Sequence, residues 1–203
     1  MPSLVPIRAF HGTWQVWAFL AIAVSLATPA SGWAVETTTK ERPIIIATTL
    51  GMRLFHPDLE LKDDFSFGGR VGMGLNKRWA LILDFVACHT HRQSTAIATY
   101  VDALRVLARA NVLTGRFRPY VVGGIGGVLF MFNDTPSTAG GAITAGLGSD
   151  LRIAPQTSVF VEGSIDLHAQ QDFTYDSDGS VTFFGPDRAR TLGTISTGLE
   201  VEF

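Results

Sequence analysis

The sequence is short of charge, of cysteine and of long apolar runs. Only 17% of its 203 residues are charged, and the formal net charge is −2. Such a balance projects no broad positive field, which argues against nucleic acid as a partner. Cys88 is the one cysteine. An internal disulfide is therefore impossible, and no Cys-His-Asn signature surrounds the thiol, so it reads as an ordinary small buried residue. Outside a stretch near the start, no apolar run approaches the roughly 20 residues of a membrane helix, which excludes a helical multispan protein. The glycine-rich segments contain no G-x-x-x-x-G-K-[ST] pattern and are not a phosphate loop. What the chain has in quantity is glycine, 21 residues of it, and a two-residue rhythm of apolar side chains.

The early apolar run is expected to be a processing segment; the alternative, an uncleaved anchor helix, fits less well because the apolar centre is short and Pro29 interrupts it. Arg8 and His11 precede Val16 to Ala27, Pro29 breaks the run, and small residues follow. A positive start, a short apolar centre and a small-residue exit make a secretory signal. Cleavage after Ala34 places Gly32 and Ala34 at the small-residue positions; cleavage after Ala30 or after Gly32 fits as well. The expected organisation is a signal peptide over 1–34, a short periplasmic lead-in over 35–43 and a β-barrel domain over 44–203.

Within 44–203 the rhythm recurs about eight times in segments of about ten residues, the length a tilted strand needs to cross a bilayer. The cleanest case sets Phe65, Phe67, Gly69, Val71, Met73 and Leu75 against Ser66, Gly68, Arg70, Gly72, Gly74 and Asn76. Further segments begin near Ile44, Trp79, Tyr100, Tyr120, Ile143, Val159 and Thr191. Asp102 breaks the pattern of its strand, lying either above the apolar band or next to a bulge. The glycines of 123–127 blur the faces of the fifth strand. Segments 89–95, 133–140 and 170–188 read as loops. The connections after strands two, four and six are short and the others longer, as in barrels with short periplasmic turns and longer outer loops. Arg116 and Arg118 read as an interfacial positive pair in one short turn.

Alternation alone does not say which face is outside, because a soluble ligand-binding barrel alternates too. The polar face, however, carries full charges: Arg53, Arg70, Asp84, Arg105, Arg109, Asp150, Arg152, Glu162, Asp166, Glu200 and Glu202. It also carries many glycines, which suit a crowded interior. The apolar face runs almost unbroken to the aromatic Phe203. Backbone groups in a bilayer must bond within the protein, which demands closure. The expected fold is all-β: an eight-stranded antiparallel up-and-down transmembrane β-barrel. Its inward arginines and acids should form a connected ion network, since a charge buried alone costs several kcal/mol. Arg53 and Glu202 are expected near the rim, reaching water.

The ending Gly198-Leu199-Glu200-Val201-Glu202-Phe203 and the stretch Arg118-Pro119-Tyr120-Val121-Val122-Gly123-Gly124-Ile125-Gly126-Gly127, with Gly146-Leu147-Gly148 and Glu162-Gly163, resemble the small outer-membrane β-barrel proteins of Gram-negative bacteria, the group of the OmpA transmembrane domain and OmpX. The resemblance covers residues 44 to 203. It implies an integral place in the bacterial outer membrane, contact with outer-membrane lipid and lipopolysaccharide, and Phe203 as the C-terminal sorting signal read by the barrel-assembly machinery. Because the sequence stops at Phe203, the peptidoglycan-binding domain of full-length OmpA-type proteins is expected to be absent.

No motif commands a chemistry. Ser164, Asp166 and His168 share a strand face, but residues two apart stand at different heights, and the His-x-Ser stretch of lipid A deacylases does not appear. His89 and His91 lack further metal donors and read as a solvated pair. Asp172, Asp176, Asp178 and Gly179 resemble part of a calcium loop without its closing Glu, and read as an acidic loop. The expectation is a monomeric non-enzymatic barrel without cofactor or metal, serving envelope integrity or surface recognition through its outer loops. A narrow pore and a lipid A-modifying enzyme are the alternatives.

Overall fold

The computed structural model describes residues 42–93, 97–132, 137–175 and 181–203. The expected signal peptide, and all of the lead-in except Arg42 and Pro43, lie outside them. Eight strands follow in order: β1 (Ile44–Phe55), β2 (Asp64–Gly74), β3 (Trp79–His91), β4 (Ala98–Asn111), β5 (Phe117–Phe132), β6 (Ser137–Ala154), β7 (Thr157–Tyr175) and β8 (Val181–Glu202). Each pairs antiparallel with its chain neighbours, and β1 pairs with β8, so the sheet closes into a barrel with no edge strand. Among the described residues no helix is long and apolar enough to cross a membrane; a closed sheet is the other way to satisfy every backbone group in lipid.

The period of two decides the two faces. Along β3, Trp79, Leu81, Leu83 and Phe85 are exposed while Ala80, Ile82, Asp84 and Val86 are buried. Leu75, Leu83, Leu147 and Val161 are 45%, 49%, 70% and 55% exposed, whereas Arg70, Asp150 and Glu162 are at most 3% exposed. A water-soluble barrel has the opposite arrangement. Here the apolar belt faces out and the charges lie within.

Several segments depart from the sequence reading. The long loop expected over 170–188 is strand: β7 runs to Tyr175 and β8 starts at Val181, with Phe173 opposite Phe183 and Tyr175 opposite Val181. Aromatic and β-branched residues alternate there and favour pairing. Gly185 and Pro186, which signal a turn, are absorbed where the β7–β8 register shifts between Gln170 and Asp172, as Pro in a strand requires. β6 already begins at Ser137, and β3 continues through His91. Asp102 needs no bulge: β4 keeps an unbroken register against Ala87 on β3 and Leu129 on β5, and the side chain stays on the outer face, half-buried. In consequence β5 to β8 are longer (16, 18, 19 and 22 residues) than β1 and β2 (12 and 11). A tilted crossing needs about 9–11 residues, so this half of the wall continues past the apolar belt at the end opposite the short turns.

β5 also resolves its glycines. Tyr120, Val122, Val128 and Phe130 are buried, which turns Gly124 and Gly126 inward too. A Cβ on Gly126 would meet Cα of Arg105 at 2.8 Å and its Cγ at 2.9 Å. The missing side chain is the space through which the Arg105 stem passes. Gly126→Val is therefore expected to destabilise the barrel by about 1–3 kcal/mol, as overpacking does, although valine is the better strand former. The midpoint of urea unfolding in lipid, followed by tryptophan fluorescence, measures it.

Candidate functional site

Every strand sends at least one charged side chain inward, and these meet in two tiers across the lumen. In the upper tier, Arg70 donates from Nε to Asp84 at 2.7 Å and grips Glu162 with both terminal nitrogens at 2.9 and 2.6 Å. Arg105 donates from Nε and Nη2 to the other oxygen of Asp84, and from Nη1 to both oxygens of Asp166 at 3.0 and 3.1 Å. Thr144 donates to Asp166 at 2.6 Å, and Arg53 lies 3.5 Å from the same carboxylate. In the lower tier, toward the short turns, Arg109 holds Glu200 in a fork at 2.8 and 3.0 Å, and Arg118 joins Asp150 at 2.6 Å and Glu202 at 2.7 Å. Arg152 reaches Glu202 at 3.1 Å from the rim. Tyr120 ties the tiers together: its hydroxyl donates to Glu162 at 3.1 Å, and its ring lies 5.1 Å from the Arg109 guanidinium.

Each tier has three arginines and three carboxylates, so each is neutral. Such forked pairs are the strong kind of ion pair, and low surrounding polarity makes their completeness matter.

Two residues stand elsewhere than the sequence reading put them. Arg53 is not at the rim; it is fully buried, and its Nε and Nη1 find no hydrogen-bond partner among the described residues. Arg118 is not in a turn; β5 begins at Phe117, which points the Arg118 side chain into the lumen. Pro119 suggested a turn, but its carbonyl accepts from Val112 N–H and the strand runs through it.

Above the upper tier the lumen is closed by an apolar plug that the sequence reading missed. Phe55, Leu59, Leu61, Cys88, Val101, Ala103, Val128, Phe130, Ala142 and Leu192 pack together. Leu59 and Leu61 come from the β1–β2 connection, folded over the barrel end by a short 3-10 turn at Pro57–Leu59, and Gln93 and Thr90 pin its carbonyls at 3.0 and 2.6 Å. Leu59 and Leu61 are isolated apolar residues in a polar, aperiodic segment, which gives the sequence no signal of the plug.

The remaining candidates do not form a reaction centre. Asp166 is committed to Arg105, Arg53 and Thr144, and His168 is fully buried with its ring 5.5 Å from that of Phe130. His89 and His91 lie on β3, not in a loop, with ring centroids 5.1 Å apart and His89 4.7 Å from Tyr100. No group of three metal donors converges among the described residues. Asp176, Asp178 and Gly179 lie outside the described residues. Phe203 is exposed, and its N–H donates to the Ile44 carbonyl at 2.9 Å, extending the β1–β8 seam.

A closed sheet with an apolar exterior and an ionic, plugged interior defines a transmembrane β-barrel of the small eight-stranded class. The solved structures agree. The chain is similar to Neisserial surface protein A, with a TM-score of 0.57 and 11% identity over 80% of this chain and 97% of that one. It is similar to the outer membrane protein OprG of Pseudomonas aeruginosa, with a TM-score of 0.55 and 10% identity over 80% of this chain and 96% of that one. At such identities the likeness is one of fold: that of the integral outer-membrane β-barrels. No protein-family model matches the sequence, and comparison with curated proteins gives no match.

Proposed function

We propose that the protein is a non-enzymatic, monomeric barrel of the bacterial outer membrane. Its work is done at its outer surface, in envelope integrity or surface recognition, and not through its lumen. The observation that carries this reading is the filled interior: among the described residues, two neutral ion tiers stand below an apolar plug. The wall of β5 to β8 continues past the apolar belt and supports the outer loops, which makes that end the display surface. In this reading residues 1–34 are removed on export, Phe203 is the feature recognised by the barrel-assembly machinery, and lipopolysaccharide and phospholipid cover the belt.

Refolded protein in planar bilayers is expected to give no discrete conductance steps above the leak of the bare membrane. Stable, reproducible steps would show a continuous water path and replace this reading with the narrow pore. Cells lacking the protein should have unchanged lipid A by mass spectrometry but altered resistance to detergents or altered surface attachment.

A further inference from the structure

The short-turn end of the barrel opens into a cavity of about 1220 Å³ below the lower ion tier, larger than the pockets of about 300–1,000 Å³ that take most small ligands. Its wall is chemically one-sided. Arg42, Lys77, Arg109, Arg116, Arg118 and Arg152 line it, and Glu202 is the only carboxylate among its lining residues. Arg109, Arg118 and Arg152 are balanced by Asp150, Glu200 and Glu202 in the tier above. That leaves Arg42, Lys77 and Arg116 with no ion-pair partner among the described residues. They come from separate places in the chain: the residues before β1, the β2–β3 turn and the β4–β5 turn. Folding brings three like charges to one concave mouth, an arrangement that costs self-repulsion unless an anion occupies it.

Two further features suit an anion. Arg109, 2% exposed at the inner end of the cavity, keeps an Nε with no hydrogen-bond partner among the described residues. The turn residues are held in place: Asn76 Oδ1 accepts from the N–H groups of Arg78 and Trp79 at 2.8 and 3.0 Å, and Arg116 Nε donates to the Arg152 carbonyl at 3.3 Å. The cations thus stand on a set frame, and guanidinium groups match the oxygens of phosphate in pairs.

We infer that this basic vestibule is a binding site for a phosphate-bearing anion at the periplasmic mouth of the barrel. The phosphate can arrive on a free, soluble molecule or as the headgroup of an anionic phospholipid in the inner leaflet; Trp79 and Phe117 are exposed at this end of the belt, and aromatic residues there suit the interface.

The test uses the full barrel in phosphatidylcholine nanodiscs, titrated calorimetrically with pyrophosphate, and in parallel native mass spectrometry of the protein with phosphatidylglycerol or phosphatidylcholine. Saturable pyrophosphate binding, weakened by salt, identifies a soluble phosphate source. Preferential retention of phosphatidylglycerol identifies the lipid. In whichever arm responds, the triple variant Arg42→Gln, Lys77→Gln, Arg116→Gln is expected to bind at least 10-fold more weakly. Arg78→Gln, which removes a cation from the same turn but not from the cavity wall, should bind as the native protein does. A heat-modifiability gel confirms that both variants are folded. Absence of binding in both arms, or a folded triple variant that binds unchanged, overturns the proposal.

Discussion

Asp84→Ala is expected to lower barrel stability by about 3–5 kcal/mol, the typical effect of removing one partner from a buried ion pair. Asp84 is fully buried and accepts from both Arg70 and Arg105. Without it the upper tier holds three arginines and two carboxylates, and three guanidinium nitrogens, Nε of Arg70 with Nε and Nη2 of Arg105, lose their acceptor in a lumen closed above by the apolar plug. Water cannot easily take the place of the carboxylate. Urea unfolding of the protein in lipid vesicles measures the loss. The companion double change, Asp84→Ala with Arg105→Met, restores neutrality while leaving Arg70 with Glu162 and Arg53 with Asp166, and should recover part of it, because an apolar replacement is often as stable as the pair it removes. A single-variant effect below about 1 kcal/mol would mean that the tier is hydrated.

The second large effect separates lipid from water as the solvent of the outer face. Leu147, on β6, is 70% exposed, and Leu113, in the β4–β5 turn, is 55% exposed. Their accessible surfaces are similar, so a soluble protein would accept arginine at either position with little change. In a bilayer the two differ. Leu147 pairs with Val121 on β5 and Gly163 on β7 within the apolar belt, where arginine costs about 2–4 kcal/mol near mid-depth, against about 0–1 near the interface. Leu147→Arg should therefore shift the vesicle unfolding midpoint strongly and Leu113→Arg hardly at all. Equal tolerance would place the belt outside hydrocarbon.

How much of this was readable from the sequence depends on what each residue's signal was made of. The strand number, the closure and the outward direction of Leu83 or Val161 follow from a period of two sustained over a crossing length, and that is a local signal. Arg118 was misplaced because Gly115 and Pro119 on either side carry turn chemistry, which the β5–β6 pairing overrides. The same override turned Gly185 and Pro186 from a loop into part of a bulged hairpin. Arg53 was set at the rim because its place near the end of β1 was read as an end of the barrel, whereas the β1–β2 connection folds back over it. The inward plug could not be seen, since Leu59 and Leu61 sit in a segment with no periodicity. Which arginine meets which acid was also out of reach: pairs such as Arg70 with Glu162 join β2 to β7, and their meeting depends on barrel circumference and stagger, not on neighbours in the chain.

Those long-range pairs bear on how the molecule enters its membrane. Arg70 finds Glu162 on β7, and Arg109 finds Glu200 on β8; Arg70 and Arg105 also meet Asp84 on the adjacent β3, and Arg118 meets Asp150 on the adjacent β6. The second strand and the fourth would thus carry uncompensated cations into oil if hairpins were delivered one at a time in order of synthesis, at a cost of about 3 kcal/mol or more for each arginine. Concerted insertion avoids that cost: the late strands, folded against the early ones beforehand, bring the acids that neutralise them.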